Sequence, residues 1–189
     1  MNSIIQERIR QSIDVKEKIL ENAELLKAIE DAVKLMQSTL KRGNKILLCG
    51  NGGSASDSLH LTAEIVGRFQ KERRGLPAVS LNADVAVMTA IANDYGYAEI
   101  FARETEGLLR AGDILVGIST SGNSENVYRA IMKAKELGGQ TVGLLGRTGG
   151  KIEKVADVSI IVPADNTARI QESHIMIGHI ICEMLEEAF

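Results

Sequence analysis

"KILLCGNGGSASDSLHLTAE", residues 45–64, holds three signals in one stretch. An almost unbroken apolar run, KILLC, has the character of a strand buried on both faces. A turn of glycines, serines and one asparagine follows. From residue 54 the spacing of apolar positions becomes that of a helix. Strand, small-residue turn and helix form the opening unit of a parallel α/β sheet, and the rest of the chain repeats the alternation. Short apolar runs recur at 77–81 (PAVSL), 113–119 (DILVGIS), 140–146 (QTVGLLG) and 157–163 (DVSIIVP), with helical patterns expected at 54–69, 83–92, 98–109, 124–137 and 167–187. Both prolines, Pro77 and Pro163, stand at strand boundaries, where a missing N–H is tolerated.

Residues 3–41 contain neither glycine nor proline. Ile5, Ile9 and Ile13, then Ile29, Val33, Met36 and Leu40, recur at helical spacing, and LENAELL at 20–26 is the expected break between two helices. The expected architecture is one domain over 1–189: N-terminal helices over 1–42, then a doubly wound, five-stranded parallel α/β core over 43–189.

Composition narrows the function. The chain has 189 residues, 44% hydrophobic and 25% charged, with a net charge of −3. It carries no basic run, and aromatic residues make up only 3%, so nucleic acid is not the expected partner. No apolar run approaches the length of a membrane span, and charges interrupt the N-terminal stretch as they would not in a signal peptide. Cys49 and Cys182 lie in apolar surroundings without metal or redox spacing, so buried free thiols and a cytoplasmic location are expected.

Ligands of open α/β sheets bind beyond the carboxyl ends of the strands. Two loops there are rich in small donors: GNGGSASDS after the first strand and STSGNSEN, residues 119–126, after the third. Ser119, Thr120, Ser121 and Ser124 offer four hydroxyls, and Ser124 fits a helix N-cap. Hydroxyls, free amides and the positive end of a helix can hold a phosphate without lysine. An ordinary serine-rich turn is the alternative for either loop alone. GNGGSA also satisfies the dinucleotide pattern G-x-G-x-x-A, yet no acid stands at the tip of the next strand to hold a ribose. Asn51 and Ser54 suit a small hydroxylated ligand better.

His60 and Glu64 are four apart, about 40° around a helix. Gln171 and His179 are eight apart on the last helix, about 80° around it, and His174 points elsewhere. Taken singly, these residues also fit a solvated pair, a solvated polar residue and a satisfied interior histidine.

Together, CGNGGSASDSLHLTAE, AIANDYGY, GISTSGNSENV and TARIQESHIMIGHIICEMLE resemble the bacterial phosphoheptose isomerases of the sugar-isomerase (SIS) domain family, along essentially the whole chain. The resemblance implies a flavodoxin-like sandwich. It implies an aldose–ketose isomerase that converts sedoheptulose 7-phosphate to D-glycero-D-manno-heptose 7-phosphate, an early precursor of lipopolysaccharide or surface-polysaccharide heptose. Ser119, Thr120, Ser121 and Ser124 match the family's phosphate loop. Asn51, Gly52, Gly53, Ser54, Asn93, Asp94 and Gln171 match sugar-phosphate contacts, Glu64 and His179 the catalytic pair, and His60, Glu64, Gln171 and His179 zinc ligands. One zinc per subunit is implied, of moderate affinity because an amide is not a usual zinc donor. A homotetramer with sites at subunit interfaces is implied too. Some relatives act instead as non-catalytic modules that sense a sugar phosphate or assist replication initiators. A module would not need the His60, Glu64, Gln171 and His179 set.

Overall fold

The computed structural model describes residues 2–189. Two long helices, α1 (Asn2–Leu20) and α2 (Ala23–Lys41), precede β1 (Ile46–Gly50). The chain parts between them where expected. Asn22 leaves helical conformation and its side chain accepts from the Leu25 N–H at 3.0 Å, capping α2. Then follow α3 (Gly53–Val66), β2 (Ala78–Ser80), α4 (Val85–Tyr95), α5 (Ile100–Leu108), β3 (Ile114–Ser119), α6 (Glu125–Glu136), β4 (Gln140–Gly146), α7 (Gly150–Glu153), β5 (Val158–Val162) and α8 (Thr167–Glu186). Asp84 caps α4, accepting from the Val87 N–H at 3.0 Å.

All five strands pair in parallel, in the order β2-β1-β3-β4-β5. Side chains alternate across a strand, so each apolar run feeds two cores. Ile46, Leu48, Ile114, Val116 and Ile118 face a core completed by α2, α3 and α8. Leu47, Cys49 and Leu115 face a second, completed by α5 and α6. Each fully buried Leu or Ile contributes about 1.5–3 kcal/mol, which is why the runs are continuous rather than alternating.

Three segments differ from the sequence expectation. Helix α3 stops at Val66, three residues early, with Gly67 as its C-cap, and the amides of residues 69–71 turn to a carboxylate of α8 described below. Helix α7 and a 3-10 turn at Tyr97–Glu99 are too short to leave a periodic trace. The interior histidine is His174, not His179. Its Nε2–H donates to the Leu145 carbonyl at 2.9 Å, and burial pushes its pKa down to about 4, so it stays neutral and ties α8 to β4.

Candidate active site

β1 and β3 are neighbours, but the chain leaves them toward opposite faces of the sheet. The two small-residue loops therefore flank the switch point of strand order. They are clasped together. The amides of Asn51 and Asn126 exchange two hydrogen bonds of 2.8 Å, and the Tyr97 hydroxyl donates to Asn51 Oδ1 at 2.9 Å. Asn82 brackets the end of β1: its Oδ1 accepts from Gly50 N–H and its Nδ2 donates to the Gly50 carbonyl.

In the second loop, Ser124 occupies the N-cap position of α6, but its hydroxyl does not cap. It pairs with the Ser119 hydroxyl at 2.9 Å. The N-cap position is the one expected from sequence; the pairing of the two hydroxyls across the loop was not. Of the N–H groups that open α6, that of Val127 donates to Asn126 Oδ1 at 2.9 Å, while those of Glu125 and Asn126 have no side-chain acceptor, which suits an anion. The Ser121 hydroxyl accepts from the Asn123 N–H at 3.1 Å, and Thr120 and Ser121 are half-buried at the loop's rim.

The residues expected to do chemistry come from α3 and α8, which run side by side. Gly178 makes their approach close. A Cβ there would stand 2.5 Å from a Leu61 methyl. One residue further, His179 Nε2 reaches to 3.4 Å from His60 Nε2, and His60 Nε2 lies 3.0 Å from Glu64 Oε1. The sequence placed these three on two helices, and the fold makes them converge. The cluster stands on an open face of the chain, the His60 side chain being 48% exposed. The larger cavities lie elsewhere, among them a 400 Å³ apolar groove between α1, α2 and α8.

The remaining expected residues divide. Gln171 lies two turns before His179, with its amide against Gly53 so closely that a Cβ at 53 would meet Nε2 at 2.3 Å. Gly52 and Gly53 open α3, and Ser54 is buried in its first turn. Asn93 and Asp94 are exposed near the end of α4, and Asn93 Nδ2 donates to Asp94 Oδ1 at 2.8 Å. Tyr97, rather than either of them, reaches the first loop. The thiols are buried, and burial raises both; Cys182 is pushed to about 12, so neither is a nucleophile.

Two imidazole nitrogens and a carboxylate oxygen lie within 4.8 Å of one another. Zinc–ligand bonds of about 2.0–2.2 Å place neighbouring tetrahedral donors about 3.3–3.5 Å apart. The 3.4 Å nitrogen–nitrogen and 3.0 Å nitrogen–oxygen separations are near that edge. A His–Glu–His set leaves an open position, as in catalytic rather than structural sites. These side chains fit a divalent metal.

A parallel sheet with phosphate-type loops at its switch point and an acid–imidazole cluster beside them defines a sugar-phosphate enzyme of the SIS class. The SIS-domain family profile matches residues 9–146. The phosphoheptose isomerase of Geotalea daltonii is 52% identical over 183 residues, covering 96% of this chain and 95% of its own. That of Helicobacter pylori strain 26695 is 49% identical over 189 residues, covering 100% and 97%. The structure of the Neisseria gonorrhoeae phosphoheptose isomerase superposes with a TM-score of 0.93 at 41% identity, covering 98% of each chain. The chain belongs to the SIS-domain family and, within it, to the phosphoheptose isomerases. It is an aldose–ketose isomerase with a sugar-phosphate isomerase role in heptose synthesis. Among the described residues no helix is long and apolar enough to cross a membrane.

Proposed function

We propose that the enzyme converts sedoheptulose 7-phosphate to D-glycero-D-manno-heptose 7-phosphate in the cytoplasm, early in lipopolysaccharide or surface-polysaccharide heptose synthesis, by proton transfer between C1 and C2 of the open-chain sugar. The phosphate sits in the second loop, against the hydroxyls of Ser119, Thr120, Ser121 and Ser124 and the amides opening α6. Asn51, Gly52, Gly53, Ser54, Asn93, Asp94 and Gln171 contact the rest of the molecule. Binding energy gathered at the phosphate fixes the distant carbonyl end against the α3–α8 cluster.

Glu64 takes the proton from C1. The electron pair moves into a C1–C2 double bond, giving the enediol. His179 handles the protons of the two oxygens, and return of a proton to C2 completes the aldose. Glu64 and a histidine divide the work here as the glutamate and histidine of triosephosphate isomerase do, which is an analogy. Zinc held by His60, Glu64, Gln171 and His179, one per subunit, would supply Lewis acidity toward the substrate oxygens.

The convergence of His60, Glu64 and His179 within 4.8 Å carries this reading. The open face on which the cluster stands supports a site closed by a neighbouring subunit. So does the exposed apolar surface of α1 (Ile4, Ile5, Ile9, Ile13) and of α4, which buries none of its residues within the chain. A homotetramer with interfacial sites accounts for all three. The test is conversion of sedoheptulose 7-phosphate followed by NMR, before and after chelation. The expected result is aldose formation that falls on metal removal and returns with zinc. Undiminished turnover by metal-free protein removes the metal from the reaction. No turnover under any metal condition favours a non-catalytic sugar-phosphate module.

A further inference from the structure

Histidines that ligate metals or move protons are usually held by a hydrogen bond from their second nitrogen to a carboxylate or carbonyl. Among the described residues, nothing hydrogen-bonds His179 except His60, at 3.4 Å. An aromatic ring lies against the face of the imidazole instead. The Phe69 ring stacks on the His179 imidazole, centroids 5.3 Å apart and planes 23° from parallel. The His60 ring meets the imidazole edge-on at 5.0 Å and 68°. Offset stacking and edge contact are the preferred geometries of such rings.

Phe69 lies on an irregular loop, yet that loop is firmly held. The Glu186 carboxylate of α8 accepts from three successive backbone amides, Phe69 at 2.7 Å, Gln70 at 2.8 Å and Lys71 at 2.9 Å. Arg73 Nε lies 3.1 Å from Glu186 Oε1, without its N–H aimed at an acceptor. The Arg73 fork donates to the carbonyls of Glu64 (2.9 Å), Ile65 (2.9 Å), Gly67 (3.2 Å) and Arg74 (3.1 Å). Both side chains are almost wholly buried, 4% and 1% exposed. Burial pushes the Glu186 carboxyl up, but the three amides and Arg73 outweigh it and hold it below the ordinary range. One knot thus fixes the end of α3, which carries Glu64, the last turns of α8, which carries His179, and the ring between them.

We propose that Phe69 is the positioning residue of His179. Its ring, fixed by the Arg73–Glu186 knot, sets the imidazole plane in place of the usual hydrogen bond. This rests on the role of His179 proposed above. The substitution Phe69→Leu removes the flat face while keeping an apolar side chain on an accessible loop, and Phe69→Tyr keeps the face. Both are measured for kcat and KM separately, and for the order parameter of the His179 Cε1–H bond in 13C-histidine-labelled protein, with His174 as internal reference.

Phe69→Leu is expected to lower kcat about 10- to 100-fold, the scale of a small misplacement of a catalytic group. KM should change less than about twofold, since the phosphate loop is untouched. The His179 order parameter should fall from about 0.85 toward 0.6 while that of His174 holds. Phe69→Tyr should restore both. An unchanged kcat, a loss confined to KM, or a His179 ring as rigid as in the parent each overturns the proposal. Should Phe69→Leu not fold, Phe69→Met takes its place under the same criteria. His179→Ala separates the layers. Inactive His179→Ala beside normal Phe69→Leu defeats the positioning role alone, whereas active His179→Ala defeats the role of His179 and the proposal with it.

Discussion

At the scale of single residues, Glu64 and Glu104 show opposite uses of a carboxylate. Glu64 stands in the cluster with His60 and His179, where it is the proposed base. Glu64→Gln keeps the shape and loses the basicity. It is expected to lower kcat by about 10²–10⁴-fold, with a thermal melt close to the parent's; near-parental kcat would exclude Glu64 as the base. Glu104 lies in α5, 7% exposed, with Oε1 lacking a partner. Burial, with the Asp84 charge adding to it, pushes its pKa up to about 7 from an ordinary 4.5. Between those values the folded chain holds a proton that the unfolded chain has released. Its contribution to stability therefore falls as pH rises through that window. Glu104→Gln should melt like the parent at pH 5 and higher than the parent at pH 8. The contribution of His174, lost as pH falls from 6.5 toward 4, cancels in that comparison. Equal melting at pH 8 would show Glu104 to be unshifted. His60 and Glu64 were legible in the sequence because their pairing is local. Asn126, Phe69, Arg73 and Glu186 were not, because their partners lie up to 117 residues away and leave no period in the chain.

At the scale of elements, the site depends on how closely α8 lies on α3. Gly178→Ala places a methyl 2.5 Å from the Leu61 side chain and should push the helices apart. Overpacking of this kind costs about 1–3 kcal/mol, and misalignment of His179 against Glu64 should lower kcat at least tenfold. Adding Leu61→Ala makes room, so the double variant should recover most of the lost kcat. If Gly178→Ala alone is fully active, the contact does not set the geometry. The strands were legible because burial on both faces forces continuous apolar runs. Ser124 stands at the N-cap position that the sequence suggested, but the pairing of its hydroxyl with that of Ser119 arises only when β3 and α6 are folded together.

For the whole molecule, the open face of the cluster and the uncovered surfaces of α1 and α4 belong to one question. Light scattering on the purified protein is expected to give a tetramer. The paired change Ile5→Asp and Ile9→Asp, on residues more than half exposed within the chain, should give smaller species with reduced turnover. A parent that is monomeric and fully active would show the site complete in one chain. The sequence pattern carried the order of strands and helices, since each element's burial is written in its own residues. How far the site is shared between subunits is not written there, because an exposed isoleucine reads alike in a partner interface and in a loosely packed helix. The central claim is that Glu64, beside His179, moves a proton between neighbouring carbons of a sugar phosphate. Its most direct test is to incubate the parent and Glu64→Gln with sedoheptulose 7-phosphate in deuterium oxide and follow both sugars by NMR. The expected result is aldose carrying deuterium at C2 from the parent, and neither aldose nor exchange at C1 from Glu64→Gln. Aldose formed by Glu64→Gln at the parental rate would contradict it.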